Sequence, residues 1–426
     1  MEIQLPRGTR DILPNEIETW HFLENKFRSI CETYRYSEIR TPIFEHTELF
    51  ERGVGDSTDI VTKEMYTFQD KKGRSLTLRP EGTAPVVRSF VEHKMFGDVK
   101  QPVKLYYNGP MFRYERPQGG RQRQFTQMGI EAIGSDDPSI DAEVISLAMN
   151  FFRSIGLENI SLIINSLGDK ESRLKHREAL IAHFEPQIDE FCSDCQARLY
   201  KNPLRILDCK TDHEHPLVKS APSILDFLNE ESKEYFAKVK GFLDVIGISY
   251  TVDPTLVRGL DYYNHTTFEI MSDEEGFGAK TTLCGGGRYH GLVQEFDGPD
   301  TPGIGFGMGV ERVLLALEKA QVKIPAAKGL SCYVISAQEE ADEKVVQLVN
   351  MLRDHGISAE KDYQKRKLKA QLKDADRKQA KYTVIIGEDE IRTGEYSLKN
   401  MATGEQFLVT ETELITTLEE QAEGDE

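Results

Sequence analysis

The sequence predicts an α+β fold, an antiparallel-sheet core interrupted by a helical insertion and followed by a smaller α/β domain. Three observations carry this. Strand-like runs arrive in blocks rather than in regular alternation with helices, which favours an antiparallel sheet over a doubly wound parallel one. A stretch at about 166–252 is mostly helical in pattern and rich in Glu, Lys and Leu, and it separates two strand-rich blocks. Beyond the segment Pro325–Gly329, strands and helices alternate over roughly a hundred residues, a normal domain size. The expected division is therefore 1–325 for the core and 326–426 for the second domain.

The first element is an amphipathic helix after Pro14 and Asn15. Ile17, Trp20, Leu23, Phe27, Ile30 and Tyr34 fall at helical spacing, and Glu18 is placed to complete a capping box with Asn15. Strand-like runs follow at Glu38–Ile43, Met65–Phe68 and Ser75–Leu78, with a hairpin turn over Gln69–Arg74. Val103–Asn108 and Phe125–Ile133 read as the arms of a long antiparallel hairpin. After the insertion, strand and glycine signals return at Leu256–Ile270, Thr282–Val293 and Gly303–Gly309, and a helix runs over Val310–Ala320. The second domain reads as a strand at Cys332–Ser336, helices at Ala341–Asp354 and around Leu368, Leu372 and Ala375, and a strand at Tyr382–Ile386. Glu419–Glu426 reads as an acidic tail with nothing to pack.

Composition excludes several function classes. No run approaches the ~20 apolar residues of a membrane helix, and the first residues lack a basic segment followed by an apolar one, so a cytoplasmic protein without membrane partners is expected. No G-x-x-x-x-G-K-[ST] sequence is present, which argues against a P-loop. The net charge of −18 predicts, taken in bulk, that a polyanion is repelled. Two local segments reverse that sign. Between Arg113 and Arg123 four arginines stand against one glutamate, and residues 361–381 hold nine Lys or Arg against three Asp.

The six cysteines are too few and scattered for a disulfide framework, so reduced thiols are expected. Cys192-x-x-Cys195 followed by Cys209, His213 and His215 is similar to a zinc-ligand series. The second pair does not repeat the tight spacing, and Leu204, Ile206 and Leu207 between them read as packed core. The sequence therefore ranks a structural or idle role for the cluster ahead of zinc, leaves zinc as the alternative, and assigns no metal ligand.

Two constellations carry chemistry. Guanidinium forks in Phe112–Phe125 suit phosphate oxygens, and Phe125 suits stacking on a base. In Gly303–Arg312 glycine alternates with apolar residues and runs into a helix, leaving one strand face bare for a flat ligand, with Arg312 in the helix's first turn. Together these segments resemble the class II aminoacyl-tRNA synthetases. Pro42 in its strand is similar to motif 1, Phe112-Arg113-Tyr114-Glu115 to motif 2, and Gly305-x-Gly307-x-Gly309-x-Glu311-Arg312 to motif 3. Leu256–Tyr263 (LVRGLDYY) and Cys284–Tyr289 (CGGGRY), with Arg7–Asp11 and Leu78–Thr83, narrow the resemblance to the histidyl-tRNA synthetases over nearly the whole chain. One departure is His290, where that family commonly has Asp; it is expected at the pocket wall.

The resemblance implies a class II synthetase core with a C-terminal anticodon-binding domain, acting on L-histidine, ATP with its Mg2+, and tRNA(His). It implies that Arg113 and Arg258 stabilise charge on the α-phosphate, and that adenine lies between Phe125 and Arg312 with Glu115 beside its amino group. For histidine it implies Glu131 and Tyr263 on the ring nitrogens, Glu81, Thr83 and Gln127 on the ammonium group, and Tyr289 closing the pocket. Arg116, Gln118 and Arg121 are expected to meet the acceptor end of tRNA. The basic run with Lys365, Arg366 and Lys369, and also Lys367 and Lys373, is expected to form a phosphate footprint. Motif 1 implies a homodimer. Non-catalytic paralogues of the family that regulate an ATP phosphoribosyltransferase usually lack the anticodon domain and parts of motifs 2 and 3, which this sequence retains.

Overall fold

The computed structural model describes residues 3–55, 58–98, 101–274, 281–324 and 329–423. Internal contacts divide the chain at 324/325. Most of the predicted linker, 325–328, lies outside the described residues.

The larger unit opens with helix α1 (Ile17–Thr33), whose Trp20, Leu23, Phe27 and Cys31 form a buried stripe. The predicted capping box is not made. Glu16 is the N-cap and is itself helical in φ and ψ, so no extended residue presents a side chain to the first turn. The predicted strand over 38–43 is split into β1 (Ser37–Glu38) and β2 (Phe44–His46). Pro42 sits in the connection between them, where it has no N–H for a ladder. Helix α2 (Thr47–Val54) follows, then β3 (Tyr66–Gln69) and β4 (Ser75–Leu78), which form a three-stranded sheet with β2. Helices α3 (Thr83–Glu92) and α4 (Met95–Asp98) lead to the long hairpin of β5 (Val103–Phe112) and β6 (Gln124–Ile133), paired in register from Val103 with Ile133 to Phe112 with Gln124.

Helix α5 (Pro138–Ser154) is capped by Asp137, whose carboxylate accepts from Ser139 N at 2.8 Å. Next come β7 (Ile160–Ser166), α6 (Lys170–Phe184), the short helices α7 (Ser193–Arg198), α8 (Leu204–Leu207) and α9 (Pro216–Lys219), and α10 (Glu230–Val245). This segment is not a uniform insertion. Residues from Leu180 to Val218 bury a small core of their own, whereas Phe236, Val239 and Leu243 of α10 join the main core with α1 and α5. The chain then adds β8 (Thr251–Val252), β9 (Tyr263–Ser272), β10 (Thr281–Tyr289), the short helix α11 (Leu292–Glu295), β11 (Gly303–Gly309) and α12 (Val310–Lys319). The expected strand from Leu256 begins only at Tyr263, because the preceding residues are drawn into a loop where Asn165 Nδ2 donates to the carbonyls of Pro254 and Leu256 at 3.3 and 3.2 Å.

The eight-stranded sheet has the order β1-β5-β6-β11-β10-β9-β7-β8, antiparallel except at its two edge pairs. One buried ion pair ties the strands to the helices behind them. Arg288 on β10 and Asp141 on α5 are both fully buried; Arg288 also donates to Ser135 O at 2.7 Å, and Tyr235 of α10 donates to Asp141 at 3.1 Å.

The smaller unit holds β12 (Cys332–Ser336), α13 (Asp342–Asp354), β13 (Ala359–Lys361), α14 (Leu368–Arg377), β14 (Tyr382–Ile386), α15 (Glu388–Thr393), β15 (Glu395–Asn400), β16 (Gln406–Thr410) and α16 (Glu411–Glu423). Its sheet has the order β13-β12-β14-β15-β16, parallel over the first three strands and antiparallel beyond. The expected acidic tail begins inside α16, which packs through Leu414 and Leu418; residues 424–426 lie outside the described residues.

Candidate active site

The central strands of the large sheet form the floor of a cavity of about 800 Å³, within the usual range of ligand sites. The glycines of β10 and β11 make room for particular side chains. A Cβ at Gly307 would stand 2.7 Å from Gln127 Nε2, and Cβ atoms at Gly285 and Gly305 would collide with the Arg258 guanidinium and the Glu131 carboxylate. Substituting these glycines would therefore displace the very groups that the sequence singles out.

Of the predicted residues, Glu81, Thr83, Arg113, Glu115, Arg121, Phe125, Gln127, Arg258, Tyr263 and Arg312 line this cavity. Glu81 is buried. Its two carboxylate oxygens accept from the backbone N–H groups of Thr83 and Ala84, each at 2.8 Å, at the start of α3, and burial raises its pKa. Gln127 accepts from Gly82 N at 3.0 Å. The Arg113 Nε donates to Pro80 O at 2.8 Å and its guanidinium lies 5.3 Å over the Phe125 ring, so cation and ring fix one another. Arg312 donates to Thr282 O at 2.8 Å, and burial lowers its pKa to about 10.

Three residues expected at the pocket do not reach its wall. Glu131 is fully buried and lies behind it, accepting the Thr83 hydroxyl at 2.7 Å on one oxygen and the Tyr289 hydroxyl at 2.9 Å on the other. Burial pushes its pKa up to about 8, against the pull of those hydroxyl donors. Tyr289 is correspondingly buried and does not line the cavity. His290 is not on the wall either; its ring packs 5.6 Å from that of His265. At the hairpin tip Arg116 and Gln118 are exposed, while Arg121 turns inward to Glu115 at 3.3 Å.

The sequence reading missed Glu269 and Glu311. Glu269 on β9 faces Gly285 across the sheet, forms an ion pair with Arg258 and accepts the Thr282 hydroxyl at 2.8 Å. Glu311 accepts from Thr126 N at 2.9 Å, and burial raises its pKa to about 7. In the sequence Glu311 stands inside the glycine motif with nothing local to mark its role, and Glu269 is only a polar residue in a strand.

In the smaller unit, the basic segment sorts into two groups. Arg366 is bound to Asp362 and, at 2.7 Å, to Asp374, while Arg377 and Lys378 also pair with Asp374. Arg366 is thus held by two carboxylates at the start of α14, with its side chain only partly exposed. Lys365, Lys367, Lys369 and Lys373 are exposed and make no ion pair among the described residues.

Comparison with known proteins agrees with this architecture. The family model described as Histidyl-tRNA synthetase matches residues 8–313, and one described as Anticodon binding domain matches residues 331–421. The chain is 76% identical over 418 residues to a histidine–tRNA ligase of Listeria monocytogenes serovar 1/2a, covering 98% of each, and 65% identical over 406 residues to that of Anoxybacillus flavithermus, covering 95% of this chain and 96% of the relative. Among solved structures, the apo histidyl-tRNA synthetase of S. aureus superposes with a TM-score of 0.85 at 50% identity, over 98% of this chain and all of that one. Full-length similarity at these levels, on a fold that brings the motif residues into one cavity, establishes that the chain belongs to the histidyl-tRNA synthetase family.

Proposed function

We propose that the chain is a histidine–tRNA ligase, which activates L-histidine with ATP and transfers it to the 3′ end of tRNA(His). In the first step a histidine carboxylate oxygen attacks the α-phosphorus, the α–β P–O bond breaks and pyrophosphate leaves. In the second, the terminal ribose hydroxyl attacks the activated carbonyl, loses its proton and displaces AMP. The observation that carries the reading is the convergence of Arg113, Arg258 and Arg312 on one cavity with Glu81, Thr83, Gln127 and Tyr263.

Charge accumulates on the α-phosphoryl oxygens during activation, and preformed donors in a partly enclosed site stabilise it without reorganisation. Arg113 and Arg258 take this role, with Glu269 holding Arg258 until phosphate competes for it. Adenine stacks between Phe125 and Arg312, and Glu115 lies near its amino group. Mg2+ enters with ATP; the carboxylates of Glu64 and Glu115 line the same wall and suit a hard cation, and burial together with Glu115 raises the pKa of Glu64.

Glu81, Thr83 and Gln127 receive the substrate ammonium group, and Tyr263 meets one ring nitrogen. Each Glu131 oxygen holds one hydroxyl donor and retains a second lone pair, so it can still accept the other ring N–H; contact needs a local shift of the wall. A ring nitrogen matched this way rejects analogues that would leave the site's buried groups unpaired.

Arg116 and Gln118 meet the acceptor end, with Arg121 beside them, and the exposed lysines of the smaller unit contact tRNA phosphates. Motif 1 supports a homodimer: Phe44 and Phe68, with ring centroids 6.3 Å apart on the two strands that flank β4, are both exposed and offer an apolar patch to a second copy. A cytoplasmic location suits this role. The test is aminoacylation of total tRNA with each of the standard amino acids in turn. Charging with histidine alone is expected, and charging with another amino acid, or with none, would end the reading.

A further inference from the structure

At the edge of the catalytic cavity, whose lining includes Cys192 and Cys209, and independently of the reading above, we infer that Cys192, Cys195, Cys209 and Asp212 form a zinc site that clips the small helical core to the cavity wall. Their donor atoms all lie within 4.8 Å of one another, and among the described residues no other set of three or more His, Cys, Asp or Glu side chains converges in this way. The edges fit. Zn–S bonds of about 2.3 Å and Zn–O bonds of about 2.0 Å in a tetrahedron put sulfurs about 3.8 Å apart and sulfur and oxygen about 3.5 Å apart. Cys192 Sγ and Cys209 Sγ are 3.7 Å apart, and Cys209 Sγ is 3.5 Å from Asp212 Oδ2. Asp212 is oriented by the backbone N–H of Cys192, which donates to the same oxygen at 3.1 Å.

Local structure explains why this set converges and the expected one does not. Cys192 is the N-cap of α7 and Cys195 lies in its first turn, so two thiols face the same way, while Cys209 follows α8 directly. The histidines singled out by spacing point elsewhere. The His213 Nδ1 donates to Lys210 O at 3.0 Å, and His215 accepts from Leu217 N at 3.2 Å with its ring centroid 4.3 Å from that of Phe191. Asp212 takes the fourth corner.

The surroundings are those of a structural metal. Helices α7, α8 and α9 have six, four and four residues, too short to persist alone, and their core is small. The clipped segment also grips the catalytic loop. Arg205 donates to Gly259 O at 2.9 Å and Asn202 to Asp261 at 2.8 Å, one and three residues after Arg258 in the loop that carries it. Zinc would thus act as a positioning element, through the loop that carries Arg258.

The test is elemental analysis of the full chain, purified in a non-thiol reductant without chelator and passed through gel filtration. About one zinc per chain is expected, falling below about 0.2 in Cys195→Ser and unchanged in Cys332→Ala, whose thiol is in the other unit. Should Cys195→Ser fail to fold, wild type regrown in cobalt decides, since three thiolates and a carboxylate give thiolate charge-transfer and tetrahedral d–d bands. Wild type with less than about 0.2 zinc per chain, a cobalt form lacking thiolate bands, or a Cys192–Cys209 disulfide in the mass map would each overturn the site.

Discussion

The two units use positive charge in opposite ways. In the larger one, Arg288 is fully buried and Arg258 is largely enclosed in the cavity wall, each facing a carboxylate, Asp141 and Glu269. In the smaller one, Lys365, Lys367, Lys369 and Lys373 stand in solvent. A buried guanidinium is held in one geometry and its field is little screened, which suits stabilisation of charge that develops at one atom. Exposed ammonium groups on flexible stems are screened and adaptable, which suits a phosphate backbone. A bulk charge of −18 averages over both and describes neither.

The largest effect is expected at Arg258. Arg258→Ala should lower histidine-dependent ATP–pyrophosphate exchange by about 10²–10³-fold, the usual loss for a preorganised charge stabiliser. Near wild-type exchange would break the contrast, because burial would then mark only packing. Arg288 sharpens it from the other side. Asp141→Ala leaves its guanidinium buried and unpaired, and should cost ~3–5 kcal/mol of stability, read by chemical denaturation, without a change specific to the activation step.

The lysines come next. Changing Lys365, Lys367, Lys369 and Lys373 together to Gln should raise the KM for tRNA by about tenfold and flatten its dependence on salt. The thermal midpoint should stay where it is, since these side chains make no ion pair among the described residues. A fall in stability as large as that of Asp141→Ala would erase the distinction between the two uses.

The smallest effect concerns Glu131. A folded-state pKa of about 8 against an ordinary 4.5 means that the folded chain keeps a proton that the unfolded chain loses. This contribution to stability is complete below pH 4.5 and is lost as pH rises through 8. Glu131→Gln, which cannot ionise, should therefore show a shallower fall in thermal midpoint on going from about pH 6 to about pH 9 than wild type. Parallel pH profiles would assign the ordinary carboxylate pKa to Glu131.

What the sequence reveals and what it conceals divide along physical lines. Helix α1, the β5–β6 hairpin and the glycine strand β11 are legible because apolar periodicity and glycine spacing are local properties. The motif arginines are legible for the same reason. Contacts between distant segments are not. Arg366 looks free in a basic run because its partner Asp374 is eight residues on, across a helix start. Glu131 looks like a pocket residue because its depth is decided by Gly305 on another strand. His213 and His215 look like ligands because spacing says nothing of how the turn through Asp212 points its side chains. Pro42 reads as part of a strand, yet it interrupts one.

The contrast between buried and exposed cations is tested most directly by measuring ATP–pyrophosphate exchange and tRNA charging on one preparation each of wild type, Arg258→Ala and the four-lysine variant. The expected result is that Arg258→Ala loses both activities together, while the four-lysine variant keeps exchange within about twofold of wild type and loses charging at low tRNA concentration. Equal loss of exchange and charging in the lysine variant, or full exchange in Arg258→Ala, would contradict the assignment of chemistry to one set of cations and RNA to the other.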